Sequence, residues 1–202
     1  TFEGGEGSGK STQINLLHNF LIEKGKDVIS TREPGGTPSA EIIRDLLTKG
    51  DADRWSPATE ALLMWAARSE HVEKLIKPSL DKGKWVLCDR FYHSTYAYQG
   101  VGHNLGIENM RIIKKIIIGE ITPNLTFILD IDPVNGIGRT KNRVSNEDRF
   151  EKMNLAFHNN LRKAFIQFSK KNPKRFIVID AELSLEKISE IISSEVQTRF
   201  QL

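Results

Sequence analysis

The sequence predicts an α/β fold, with a parallel sheet of about five strands and helices on both faces. Two observations carry that expectation. Short apolar runs at residues 28–30, 85–88, 125–129 and 176–179 alternate with longer stretches of helical periodicity. A glycine-rich loop, residues 4–9, stands where a first strand should hand over to a helix. Strands separated by helices pair in parallel, and such a sheet needs cover on both sides. Ligands then bind beyond the carboxyl ends of the strands.

Each element has its own warrant. The chain opens at Thr1-Phe2, directly before the glycine-rich loop, so the first strand is expected to be only partly represented. Ile14, Leu17 and Leu21 share one face of the first helix, which Gly25 can end. A second helix fits Pro38–Thr48. Ser56-Pro57 reads as an N-cap and first turn, opening a helix to about Ile76 that Pro78 should kink or end. Further helices fit residues 92–99, Ile107–Ile118, 134–141, 148–170 and 185–199. No repeat or low-complexity segment divides the 202 residues, which suit one domain, residues 1–202.

Composition narrows the function classes. With 39% hydrophobic and 27% charged residues, the chain reads as a folded protein. A net charge of +3 suits a small anionic ligand and is too small to argue for nucleic acid. No run reaches the ~18 apolar residues that span a bilayer, so no membrane role is expected. No secretory signal is visible. The single cysteine, Cys88, excludes an intrachain disulfide and reads as a buried thiol within Trp85-Val86-Leu87-Cys88. A cytoplasmic setting is expected.

Gly4-Gly5-Glu6-Gly7-Ser8-Gly9-Lys10-Ser11-Thr12 contains the spacing G-x-x-x-x-G-K-S. Glycines there let backbone N–H groups turn inward around phosphate oxygens, and the following helix adds its positive end. Lys10 should reach the β and γ phosphates of a nucleoside triphosphate, and Ser11 should hold Mg²⁺. The loop alone is compatible with a switch GTPase, an ATPase motor or a small-metabolite kinase. No N-K-x-D guanine signature is present, and the chain leaves little room for a motor.

Three further segments face the same end of the sheet. Thr31-Arg32-Glu33-Pro34-Gly35-Gly36-Thr37 follows the second strand, and Arg32 could contact a phosphate bidentately. Asp89-Arg90 ends the strand at residues 85–88. Asp89 stands where an acidic residue can hold Mg²⁺, and Arg90 can neutralise phosphate charge. Met64 and Arg68 are four apart on one helix face, and Ser94 and Tyr98 repeat that spacing. Taken singly, the turn, the ion pair and the helix faces also fit ordinary packing.

Together these segments, with Phe91-Tyr92-His93-Ser94-Thr95-Tyr96-Ala97-Tyr98-Gln99-Gly100, resemble the thymidylate kinases along nearly the whole chain. The resemblance implies a P-loop kinase fold and transfer of a phosphoryl group from ATP to dTMP, with Mg²⁺ and a homodimer. It implies that Arg32 and Arg90 grip the dTMP phosphate and that Arg68 bonds the thymine carbonyl. Glu6 would lie near the deoxyribose 3′-OH, and Tyr98 would crowd the 2′ position. Ser94, Thr95 and Gln99 would line the base pocket. Met64 stands where the family usually has a stacking phenylalanine; its thioether can still cover a ring. Trp65 points about 100° away on an ideal helix, so Met64 is the expected platform.

Arg139-Thr140-Lys141-Asn142-Arg143 and Asp148-Arg149-Phe150-Glu151 bracket a polar stretch that reads as a lid, about residues 139–150. Phosphoryl transfer needs in-line positioning and positive charge more than covalent help. An arginine arriving on closure supplies charge and excludes water. The family places that arginine in the P-loop or in the lid. Here Gly7 follows Glu6, so the sequence resembles the lid-arginine type common among bacteria, with Arg143 ahead of Arg139 as the catalytic residue. No general base is required, because the acceptor phosphate is already ionised. Adenine is expected near Asp180-Ala181. The alternatives are a P-loop kinase with a different monophosphate acceptor, or a nucleotide-binding switch without transfer.

Overall fold

The computed structural model describes residues 1–140 and 147–202. In chain order it forms β1 (Phe2–Glu3), α1 (Lys10–Glu23), β2 (Val28–Arg32), α2 (Pro38–Thr48), α3 (Pro57–His71), α4 (Lys77–Asp81) and β3 (Trp85–Asp89). There follow α5 (Tyr92–Thr95), α6 (Ile107–Ile118), β4 (Thr126–Asp130), α7 (Pro133–Thr140), α8 (Leu155–Lys171), β5 (Phe176–Asp180) and α9 (Leu185–Phe200). The five strands pair in parallel in the order β2-β3-β1-β4-β5. Short as it is, β1 is central: Phe2 registers with Asp89 on one side and Phe127 on the other.

Period-two alternation distributes the strands between two cores. Phe127 and Leu129 of β4 join Phe2, Ile14, Leu17 and Ile192 in one, while Ile128 joins Trp65, Phe91, Tyr98 and Phe165 in the other. The interior strand β4 is therefore buried on both faces apart from its last residue, which is why it reads as a continuous apolar run. Some helix starts carry side-chain caps. Ser56 accepts from the Thr59 N–H and Asn154 from the Phe157 N–H. Among the described residues no helix is long and apolar enough to cross a membrane.

Several expectations need correction. Pro78 does not end its helix. The π-helical turn Val72–Ile76 shifts the bonding so that the Lys77 N–H donates to the Val72 carbonyl, and α4 carries on past the proline. The helix expected at 92–99 is one turn of α5 followed by a π-helical stretch, Tyr96–Gly102. The helix expected from residue 148 begins only at Leu155, where Asn154 caps it. Strands β2 and β3 run further than their apolar runs, ending on Arg32 and Asp89. Both side chains are thereby delivered to the carboxyl edge of the sheet. Cys88 is buried, and burial pushes its thiol pKa well up.

Candidate active site

The loop after β1 wraps tightly because its glycines allow it. Gly7 has φ 67°, and a Cβ there would lie 2.0 Å from the Gly136 carbonyl oxygen of α7. A Cβ on Gly136 would in turn lie 2.4 Å from the Glu6 carbonyl oxygen. The P-loop and the first turn of α7 thus touch backbone to backbone, with no room for side chains. Lys10 opens α1 and curls back over the loop, donating to the Gly5 carbonyl at 2.7 Å and the Ser8 hydroxyl at 3.2 Å. Burial, aided by Arg90, lowers its pKa to about 8 against the opposing pull of Asp89 and Glu6. The Ser11 hydroxyl donates to Asp89 Oδ2 at 2.6 Å. A hydroxyl and a carboxylate oxygen side by side suit a hard cation that takes its other ligands from phosphate and water.

Arg90 leaves β3 in the left-handed region, φ 66°, an uncommon conformation for a non-glycine residue. That turn aims Asp89 at Ser11 and Arg90 at the P-loop. Arg90 donates to Glu6 Oε1 at 2.9 Å and to the Gly4 carbonyl at 2.9 Å. The Tyr98 hydroxyl donates to the same Glu6 oxygen at 2.6 Å. Burial opposes ionisation of Glu6, but Arg90, Lys10 and Tyr98 outweigh it and bring the pKa down to about 2. Beneath them Glu3 fastens the turn, accepting from the Phe91 and Ser94 N–H groups and the Ser94 hydroxyl.

The opposite end of the cleft is built on α3. Arg68 is 2% exposed; its Nε donates to Glu33 Oε2 at 2.7 Å and its Nη1 to Thr95 Oγ1 at 2.9 Å. Its guanidinium lies 4.6 Å from the Trp65 ring. Trp65 is in the core, whereas Met64 lines the cleft. Glu33 also pairs with His71 Nδ1 at 3.0 Å, and His71 Nε2 bonds Thr31 Oγ1 at 2.7 Å.

One cleft brings together Glu6, Gly7, Ser8, Gly9, Lys10, Ser11 and Asp89 with Arg32, Met64, Arg68, Arg90, Ser94, Thr95, Tyr98 and Gln99. Gly4 and Gly5 line an adjoining hollow, and Thr12 is exposed outside the wall. Arg32 sits at the rim, half-exposed, donating to Glu41 at 3.0 Å. Arg139 is exposed and donates to the Ala181 carbonyl at 3.0 Å, beside the loop where adenine is expected. Arg143 lies outside the described residues.

Sequence reasoning missed Glu33, Arg44 and Glu147 in this wall, and it read Phe150 and Glu151 only as bracketing the lid. Arg44 of α2 donates to the Pro34 carbonyl at 2.8 Å and forks onto Glu147 with bonds of 3.1 and 2.8 Å. Phe150 stands edge-on to Tyr98, ring centroids 5.4 Å apart. The available signal for Glu33 was its place between Arg32 and Pro34; Arg44 and Glu147 had none. Chemically, the P-loop is an anion cradle and the same cleft carries four guanidiniums, those of Arg32, Arg44, Arg68 and Arg90, so it can hold two phosphorylated molecules end to end.

The family profile described as thymidylate kinase matches residues 2–192. The chain is 48% identical over 202 residues to the thymidylate kinase of Caulobacter vibrioides, covering 100% of this chain and 97% of that protein. It is 46% identical to the thymidylate kinase of Magnetococcus marinus, covering 99% and 95%. Its fold superposes on the crystal structure of thymidylate kinase from Ehrlichia chaffeensis with a TM-score of 0.77 at 35% identity, over 98% of this chain and 96% of that one. With that match in sequence and in fold, the chain belongs to the thymidylate kinase family.

Proposed function

We propose that this cleft holds ATP on the P-loop and dTMP against Arg32, Arg68 and Arg90, within one catalytic domain whose lid spans about residues 139–150. The enzyme is a dTMP kinase: it transfers the γ-phosphoryl group of ATP to dTMP, giving dTDP. The observation that carries the site reading is the shared cleft itself, which gathers Lys10 and Ser11 with Arg32, Arg68 and Arg90. Lys10 can turn from its carbonyl partners to the donor phosphates. Arg90 can exchange Glu6 for the acceptor phosphate while Glu6 turns to the sugar. Tyr98, fixed by Phe150 and Glu6, narrows the sugar site. Ser11 and Asp89 would hold Mg²⁺, which supplies positive charge to the phosphates when bound.

The arriving arginine is assigned to Arg143. Gly7 supports that assignment, since a side chain there would strike Gly136. The direct test is to follow label from γ-³²P-ATP. It should appear in dTDP, one equivalent per ADP formed. Release as inorganic phosphate regardless of dTMP would contradict transfer.

A homodimer is proposed on the exposed apolar face of α3 and α6, where Leu62, Ile112 and Ile116 are 62%, 61% and 75% exposed. Ile112 and Ile116 lie one turn apart and so share a face. Sedimentation should give twice the chain mass at micromolar concentration; a single-chain mass would contradict it.

A further inference from the structure

Gln99 is fully buried yet lines the cleft. Its side-chain amide has two chemically opposite ends, one that donates and one that accepts. Which end faces a ligand depends on what holds the other. Here the atom 2.7 Å from Gln99 is Glu60 Oε1, and Glu60 is itself fully buried on α3. His103 Nε2 lies 2.9 Å from the same oxygen, and Arg149 Nη1 lies 2.5 Å from Oε2. Burial favours the neutral acid, but His103, Gln99 and Arg149 outweigh it and keep the carboxyl pKa low. An ionised carboxylate only accepts, so the nitrogen of Gln99 must face it. The other end, Gln99 Oε1, is buried without a hydrogen-bond partner among the described residues. A buried acceptor left open in a cleft wall calls for a donor from a ligand.

Arg68 is equally constrained. Glu33 and Thr95 hold Nε and Nη1, and Nη2 has no hydrogen-bond partner among the described residues. The pocket therefore offers a fixed acceptor and a fixed donor. The imide edge of a 4-oxopyrimidine presents the complement, an N3–H donor beside an O4 acceptor. A 4-aminopyrimidine presents the reverse at both positions.

We propose that Glu60 is a specificity-determining positioning residue, whose carboxylate locks the Gln99 amide so that the cleft accepts 4-oxopyrimidine and rejects 4-aminopyrimidine monophosphates. The proposal rests on the dTMP kinase reading and refines it. Sites built to hydrogen-bond a substrate edge discriminate strongly, because the wrong edge leaves buried groups unpaired.

The test compares kcat/KM for dTMP and dCMP in the wild type, Glu60→Gln, and Glu60→Gln combined with Arg149→Met. The combined variant leaves no unpaired buried cation, and thermal melts check that each variant folds. The dTMP-to-dCMP ratio should fall by about tenfold or more in a folded variant, because the amide is then free to turn over. A purely structural role would lower both values together and leave the ratio unchanged, which would overturn the proposal. The wild type gives a reading independent of folding: dCMP binding within about threefold of dTMP also overturns it. A wild type that phosphorylates neither pyrimidine would instead sink the dTMP kinase reading itself.

Discussion

Lys10→Ala lowers kcat for phosphoryl transfer by about 10²–10³-fold, about 3–4 kcal/mol of transition-state stabilisation, while dTMP binding stays within about threefold. Lys10 spans the P-loop from within, and its ammonium is 2.7 Å from the Gly5 carbonyl. Burial and Arg90 hold its pKa near 8, so its amine binds a proton less firmly than a lysine in water does. Donor phosphates reverse that balance, which makes the lysine's charge most favourable when phosphate charge is beside it. Arg143→Ala should produce a fall of about 10³-fold or more by the same logic, because a cation arriving on the transferred group acts in the transition state. Steady-state rates and dTMP titration separate the two terms. A kcat within about threefold of wild type for either variant would contradict its role.

Arg149→Met should destabilise the fold by about 3–5 kcal/mol and lower Tm by roughly 6–20 °C. Arg149 stands in a segment read from sequence as bracketing the lid, yet it is fully buried. Its guanidinium donates to the carbonyls of Leu47, Asp51 and Ala52 at 3.2, 3.0 and 2.8 Å and pairs with Glu60. Methionine fills much of the volume but strands the Glu60 carboxylate and those three carbonyls without their donor. Pairing Arg149→Met with Glu60→Gln should recover part of the loss, since the stranded charge goes with it. Thermal unfolding measures both. A shift under about 2 °C for Arg149→Met would show that the buried pair is not a structural anchor.

Arg149 also shows where a sequence stops being legible. The fold class, the four visible strands and the P-loop follow from local patterns: apolar runs, helical periodicity and glycine spacing. Arg32, Asp89 and Arg90 could be placed at strand ends because a strand's direction fixes where its last residues go. Burial of a charged residue depends on partners distant in sequence, and Glu60 lies almost ninety positions from Arg149. The same holds for Arg44 and Glu147, joined across the cleft. At Pro78 the sequence is misleading for a different reason, since the helix continues to Asp81. The rule that proline ends a helix assumes α-helical bonding, and the π turn at Val72–Ile76 removes that assumption.

ADP release with ATP and a panel of acceptors, dTMP, dUMP, dCMP, dGMP and their ribose forms, tests most directly that this cleft is built for dTMP. The proposed roles of Arg32 and Arg90 on the phosphate, Arg68 on the base and Tyr98 beside the sugar predict dTMP first, dUMP a weak second and the ribose forms poor. A preference for guanylate or cytidylate would contradict that acceptor site.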